Sequence, residues 1–117
     1  MKDVKIILSE EAKEVFDYLN KESRSSKIEK SILNAVKQKF EFIKLNPHYG
    51  NPISKTLIPQ KYIEEYGITN LFRVELPNFW RLIYTLSSGE SVVEIICFVL
   101  DLFDHKDYNK KFGYRNK

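Results

Sequence analysis

Apolar side chains recur with helical spacing in the first half of the chain, after one short β-rich segment at residues 4–8. The first stripe consists of Ala12, Val15, Phe16 and Leu19. The second stripe consists of Ile28, Ile32, Val36, Phe40 and Ile43. A serine that can cap a helix precedes each stripe, Ser9 before the first and Ser26 before the second. The pattern therefore predicts two amphipathic helices, which a short connection should hold antiparallel.

Apolar and polar residues alternate in the second half of the chain, as they do in β-strands with one buried face. The alternating segments span residues 71–76, 79–86 and 92–103. Turn-forming residues separate them, Pro77-Asn78 in the first gap and a Ser-Ser-Gly-Glu run in the second. The predicted order is β-α-α-β-β-β. We expect one α+β domain over residues 1–117, an antiparallel sheet with the helical hairpin packed on one face and a short basic C-terminal segment.

A long segment between the second helix and these strands shows no steady period. It contains Pro47, Pro52 and Pro59. The composition predicts a loop over residues 48–69, with one helical turn near residues 61–66. Loops of this length are uncommon in compact domains and often carry function.

The register of the first β-hairpin decides which side its charged residues face. Placing the apolar rows of both strands on one side requires Leu76 to oppose Trp80, with a three-residue loop between them. This register puts Arg73, Glu75 and Arg81 on the other face, the one that the helices leave uncovered, with Glu75 directly across from Arg81. A two-residue loop would instead expose one apolar row to solvent or bring Arg81 into the core, and either has a high cost in free energy.

Two interpretations of these charges stay open. In one, Glu75 and Arg81 form only a cross-strand ion pair. In the other, the additional charge of Arg73 keeps the face cationic, so that it binds an anion.

Composition and charge narrow the classes of function. The chain has 117 residues, of which 43% are hydrophobic and 14% aromatic, which suits one packed domain and argues against disorder. The net charge of +3 is mild, so it permits an acidic partner without requiring one. No apolar run approaches the roughly 20 residues needed to cross a bilayer, and no signal peptide precedes the first element. We therefore expect a cytoplasmic protein without membrane contact.

Basic residues are concentrated in two segments. Residues 21–44 contain seven Lys or Arg against three Glu, and residues 105–117 contain five against one Asp. The two segments could meet as one patch, or they could be a solvated helix face and a frayed tail.

Residues for a metal or covalent catalytic site are scarce. Cys97 is the single cysteine and lies in an apolar run, where a buried structural thiol is expected. The two histidines, His48 and His105, show no metal-ligand spacing, and there is no Gly-rich phosphate loop and no candidate Ser-His-Asp set. We expect no metal and no cofactor.

The remaining polar residues suit cleavage of RNA by its own 2′-hydroxyl group, which needs a base, an acid and cations near the phosphate. Arg81 is suited to a bidentate phosphate contact. His105, whose unperturbed pKa is about 6.5, is suited to proton transfer, and Tyr108 could orient the phosphate or stack on a base. Further candidates for nucleic-acid binding are Lys55, Lys61, Lys106, Lys110 and Lys111. Each candidate also has a structural interpretation, as a turn, packing or solvated residue.

Two short motifs resemble the RelE/ParE superfamily of toxins from type II toxin–antitoxin systems. The first is Trp80-Arg81-Leu82-Ile83-Tyr84, which is similar to the family's aromatic-Arg-Leu-aliphatic-Tyr strand. The second is Asp104-His105-Lys106-Asp107-Tyr108, which resembles the basic segment with a tyrosine that follows the family's apolar strand. The predicted β-α-α-β-β-β order also matches the fold of this superfamily along nearly the whole chain.

The resemblance implies an mRNA interferase, a metal-independent endoribonuclease that cleaves mRNA on the ribosome and is inhibited by a small cognate antitoxin. It implies that Arg81 holds the scissile phosphate and that Arg73 replaces a basic residue on the preceding strand. His105 and Tyr108 would stand where members keep a proton-transfer residue and a tyrosine. The protein would be a monomer or part of a toxin–antitoxin hetero-oligomer.

The chain departs from the RelE pattern at Glu75, where well-studied members have a second lysine. This departure makes His105 or Glu75 the more plausible base. The proline-rich segment 47–66 is also longer than the usual connection. ParE-like members share the fold but poison gyrase, so the alternative is a gyrase-inhibiting or catalytically degenerate protein-binding member.

Overall fold

The computed structural model describes residues 3–88 with their side chains and the backbone of residues 94–103. This part of the chain is an α+β domain. Its elements are β1 (Asp3–Leu8), α1 (Glu10–Glu22), α2 (Lys27–Leu45), β2 (Asn51–Pro52), α3 (Gln60–Tyr66), β3 (Phe72–Glu75), β4 (Arg81–Ser88) and β5 (Glu94–Phe103). The predicted basic C-terminal segment lies outside the described residues.

The strands form one sheet in the order β1-β5-β4-β3-β2. Neighbouring strands from β2 to β5 run antiparallel, as the alternating pattern and short turns predict. The sheet as a whole is mixed, because β1 pairs with β5 in parallel, from Asp3 beside Glu94 to Leu8 beside Val99. This parallel edge differs from the antiparallel sheet that we expected. The difference was not predictable because periodicity shows which residues share a face, but not which strand lies beside another.

Both long helices begin at the predicted serine caps. The Ser9 Oγ accepts a hydrogen bond from the Ala12 amide at 3.0 Å. The Ser26 Oγ accepts from the Glu29 amide at 3.4 Å and donates to the Glu29 carboxylate at 2.7 Å. These bonds satisfy amide groups that the first turn of a helix leaves without an intrahelical acceptor. Helix α2 ends at Leu45, just before the Asn46-Pro47 pair that was predicted to stop it.

The helical hairpin packs its apolar stripes on one face of the sheet. This core contains Ala12, Leu19, Ile32, Leu33, Val36, Ile43, Phe72, Val74, Leu76, Leu82 and Tyr84. The alternate residues of β3 and β4 thus face the helices, as predicted. Ile28 is an exception among the predicted stripe residues, because its side chain is 57% exposed at the beginning of α2.

A second, smaller core lies on the other face of the sheet. Ile83 of β4 points away from the helical hairpin, and it packs with Ile58, Tyr62 and Leu71. Helix α3 supplies Tyr62 and replaces the single helical turn predicted near residues 61–66. The expectation that helices leave this whole face uncovered was therefore wrong around Ile83. The apolar residues of the proline-rich segment have no regular spacing, so their packing on the sheet could not be predicted from the sequence.

The side chain of Asn70 extends the ladder between β3 and β4 by one step. Its Oδ1 accepts from the Leu86 amide at 2.9 Å, and its Nδ2 donates to the Leu86 carbonyl at 3.0 Å. The Thr85 hydroxyl donates to the backbone carbonyl of Asn70 at 2.7 Å and lies 3.1 Å from the Asn70 Oδ1. The amide side chain thus takes the place of a strand backbone just before β3 begins.

Candidate functional site

The β3–β4 hairpin has the register predicted from its apolar rows. Glu75 pairs with Arg81, and Arg73 pairs with Ile83. The Leu76 amide donates to the Trp80 carbonyl at 2.9 Å, which closes a three-residue loop. Arg73, Glu75 and Arg81 therefore share the face opposite the helical hairpin.

The loop of this hairpin has two consecutive residues in the left-handed region of backbone space. Asn78 has φ 58° and Phe79 has φ 63°. Asparagine tolerates this conformation, whereas a residue with a bulky side chain adopts it at a cost of roughly 1–2 kcal/mol. The Phe79 side chain is nevertheless 71% exposed. The tip of the hairpin thus combines backbone strain with an exposed aromatic ring.

Arg81 is largely covered, although it lies on the face away from the main core. Its side chain is 12% exposed, and its Nη1 donates to the Trp80 carbonyl at 3.1 Å. Its Nη2 lies 3.8 Å from the Glu75 Oε1, and the Glu75 side chain is 64% exposed. The predicted cross-strand ion pair is therefore present. At this distance, and with one partner open to water, such a pair contributes less than about 1 kcal/mol.

Arg73 borders a depression of about 340 Å³ at the free side of β3. Its lining residues are Lys39, Tyr49, Gly50, Asn51, Arg73, Val74 and Glu75. Beside this depression, β2 is only two residues long and pairs with β3 no further than Arg73. Helix α2 contributes Lys39, which adds a second cation beside Arg73.

Two aromatic residues contact Lys39 at the border of this depression. Its Nζ donates to the Tyr49 hydroxyl at 3.2 Å and lies 5.5 Å from the centre of the Tyr49 ring. The Nζ also lies 5.4 Å from the centre of the Phe42 ring. Cation–π contacts of this kind hold the ammonium group in place without neutralising its charge. Lys39 therefore keeps its charge available to an anion in the depression.

Tyr84, the last residue of the Trp-Arg-Leu-Ile-Tyr motif, is a structural residue in this protein. It is fully buried, and its ring stacks on Phe72 at 5.1 Å. Its hydroxyl donates to the Pro47 carbonyl at 2.8 Å and accepts from the Gly50 amide at 2.9 Å. A Cβ at Gly50 would lie 3.0 Å from the Tyr84 ring and hydroxyl. These contacts hold the segment after α2 in place, and this segment carries Tyr49 to the depression.

The lysines predicted to bind nucleic acid do not join this site within the described part of the chain. Lys55 is exposed in a short 3-10 turn, and Lys61 is on α3, 3.6 Å from the Glu11 carboxylate. Neither residue lines the depression beside Arg73. The other predicted site residues lie outside the described residues; they are His105, Lys106, Tyr108, Lys110 and Lys111.

Tyr49 and Asn51 were missed because the pairing of β2 with β3 sets their position, and a two-residue strand has no period from which that pairing could be predicted. Lys39 was missed because it lies on α2, and helical spacing does not show which part of the sheet edge a helix residue lies beside. One sequence signal pointed toward Tyr49 and Asn51: both lie in the predicted loop over residues 48–69, and loops of this length often carry function.

Over residues 3–88 and the backbone of 94–103, no group of His, Cys, Asp and Glu could hold a metal ion. None of the helices in these ranges is both long and apolar enough to cross a membrane. The polar side chains that line the depression are two cations, one carboxylate, a phenol and an amide, which suits binding of an anion.

Comparison of the chain with models of known protein families, with curated proteins and with solved structures finds no match.

Proposed function

We propose that this protein is a RelE-like toxin, a metal-independent endoribonuclease that cleaves mRNA on the ribosome in the cytoplasm and is held inactive by a small antitoxin. One observation carries this proposal: Arg73 and Arg81 share one face of the hairpin. They are diagonal neighbours across the two strands, a relationship that places Cα atoms roughly 7–8 Å apart. Two long side chains at that separation can contact the same phosphodiester group.

The reaction follows from the chemistry of RNA. The 2′-oxygen forms a bond to the adjacent phosphorus, the bond from phosphorus to the 5′-oxygen breaks, and a 2′,3′-cyclic phosphate and a free 5′-hydroxyl result. A base removes the proton of the 2′-hydroxyl and an acid protonates the leaving 5′-oxygen. Arg81 and Arg73 supply positive charge where negative charge develops on the phosphate. Lys39 adds a further cation at the border of the same face.

The residues that move protons are part of the same proposal. Glu75 is 64% exposed beside Arg81, where a carboxylate can accept a proton from a bound 2′-hydroxyl. His105 is the second candidate for proton transfer, and Tyr108 is the candidate for orienting the phosphate.

A second candidate function follows from the burial of Arg81. Its low exposure, its bond to the Trp80 carbonyl and its ion pair with Glu75 favour a structural role for this arginine. In that case the chain would be a ParE-like inhibitor of gyrase or a catalytically degenerate member that binds a protein partner.

Induced expression of the wild-type protein tests both candidates. If the protein is a RelE-like nuclease, growth stops and mRNA is cut in a translating extract, and Arg81→Ala or Arg73→Ala abolishes both effects. Lys13→Ala serves as the control, because it removes one positive charge from a surface of α1 away from the hairpin. Intact mRNA beside an active positive control would contradict the nuclease, and inhibition of DNA supercoiling by gyrase would support the ParE-like alternative.

A further inference from the structure

A second basic depression lies where the two long helices meet at their connection. Its volume is about 580 Å³, and four cations line it, from Lys21 and Arg24 near the end of α1 and from Lys30 and Lys37 on α2. No carboxylate is among its lining residues. We call this feature the basic hollow. It is distinct from the depression beside Arg73, since the two share no lining residue.

The helical hairpin builds the basic hollow from two short stretches of sequence. Lys30, Asn34 and Lys37 follow each other at four and three positions, so they lie on one face of α2. The antiparallel arrangement brings the end of α1 against the beginning of this face, which adds Lys21 and Arg24. Four positive charges thus converge on one region of the surface.

These four cations differ from three other lysines of the described helices. Lys13 pairs with Asp17, Lys44 with Glu41 and Lys61 with Glu11. Within residues 3–88, by contrast, none of the cations of the basic hollow has a carboxylate within 4 Å. Their mutual repulsion is therefore not offset by a direct ion pair.

The helix dipoles explain the positions of only some of the cations in the basic hollow. Lys21 and Arg24 lie near the C-terminus of α1, where the helix dipole favours cations. Lys30 lies close to the N-terminus of α2, which begins at Lys27, and a cation there is disfavoured by the same effect. The dipole of α2 therefore does not account for the positive charge of Lys30.

We propose that the basic hollow binds phosphate groups of an RNA chain, apart from the site of cleavage. The composition of its lining favours RNA over an acidic protein. Leu33 is its sole apolar lining residue and is 5% exposed, so the hollow offers no apolar or aromatic anchor of the kind found at the centre of protein interfaces. Lysine, arginine and asparagine are the side chains that contact phosphates in nucleic-acid complexes. The inference rests on the proposed function for the choice of RNA, and it adds a second contact that would hold the message.

The test measures binding of a fluorescent 2′-O-methyl RNA oligonucleotide by anisotropy. This RNA has no free 2′-hydroxyl, so binding is measured independently of cleavage. The double variant Lys30→Gln/Lys37→Gln is compared with Lys13→Gln/Lys44→Gln, which removes the same charge from exposed helix positions that have carboxylate partners. We expect roughly tenfold weaker binding for the first variant and less than a twofold change for the second. The slope of log affinity against log salt should fall by about 0.7 for each lost phosphate contact.

Equal effects of the two double variants, or an unchanged salt slope, would overturn the assignment. Competition by polyglutamate at the same charge concentration as RNA would also overturn it, in favour of an acidic protein partner. Circular dichroism checks that both variants fold. A wild-type protein that binds this RNA through the basic hollow but leaves unmodified mRNA intact would refute the proposed nuclease while supporting the RNA contact.

Discussion

Glu75 lies directly across from Arg81 in the β3–β4 ladder, with its carboxylate 3.8 Å from the guanidinium group. The two partners differ sharply in exposure, since the arginine side chain is 12% exposed and the glutamate side chain is 64% exposed. A phosphate that approaches this face from solvent therefore meets the negative charge of Glu75 beside the positive charge of Arg81. The same carboxylate is an obstacle to binding and a candidate base for the reaction.

Glu75→Gln separates these two effects. We expect a change in the free energy of unfolding of less than about 1 kcal/mol, because the ion pair is long and partly exposed. RNA should bind more tightly, since a negative charge is removed beside Arg81, and cleavage should slow if this carboxylate is the base. Urea denaturation, RNA titration and a single-turnover assay measure the three quantities. Glu14→Gln is the control, since Glu14 is exposed on α1; equal RNA affinity of both variants would contradict the prediction.

Tyr84→Phe should destabilise the protein by about 1–3 kcal/mol. The change removes the hydroxyl that joins the Pro47 carbonyl and the Gly50 amide to β4, and it leaves both groups without that partner. Chemical denaturation measures the loss. Tyr18→Phe provides the comparison, because that side chain is 48% exposed on α1 and should change stability by less than about 0.5 kcal/mol. Similar losses in both variants would show that the buried hydroxyl has no special role.

Gly50→Ala should cost about 1–3 kcal/mol through overpacking. Gly50 does not have a positive φ, so the cost comes from the new methyl group, which would lie 3.0 Å from Tyr84 and 3.1 Å from the Arg73 carbonyl. Combined with Tyr84→Phe, the loss should be smaller than the sum of the two single losses, because one clashing atom is absent. A double-mutant cycle in urea measures this coupling, and strict additivity would contradict it.

Asn70→Ala should destabilise the hairpin by about 2 kcal/mol. The variant loses both bonds to the Leu86 backbone, and the backbone groups of that residue lose their side-chain partner. Hydrogen exchange at the Leu86 amide should accelerate more than exchange at α1 amides. Asn20→Ala, which removes one exposed bond to the Phe16 carbonyl, is the matched control.

The parts of the fold that could be predicted are those that depend on local periodicity. The serine caps of both helices follow from a capping residue directly before each apolar stripe. The opposition of Leu76 and Trp80 follows from the alternation of the strands, because a slip by one residue would expose an apolar row. The parallel pairing of β1 with β5 could not be predicted in this way, since spacing along one strand contains no information about its neighbour.

The candidate site was predicted in part for the same reason. Arg73, Glu75 and Arg81 were placed on one face by the register of a single hairpin. Tyr49 is held at that site by long-range contacts of its neighbours, the pairing of Asn51 with Arg73 and the bonds of the Tyr84 hydroxyl to Pro47 and Gly50. Lys39 lies on α2 and bonds to the Tyr49 hydroxyl. The low exposure of the Arg81 side chain also depends on the surrounding structure, and the residues next to it in the sequence do not predict it.

The parallel pairing of β1 with β5 has a consequence for how the protein forms during synthesis. Asp3 finds its partner at Glu94, after nearly the whole described chain has been made. Contacts between residues so far apart in sequence slow folding, because a long loop must close before the contact stabilises anything. The nascent chain can form its helical hairpin early, but β5 must emerge before the strand that carries Arg81 is flanked on both sides. Among the strands of this face, the one that carries Arg81 thus waits for β5, whereas the strand that carries Arg73 has both its neighbours before β5 in the chain.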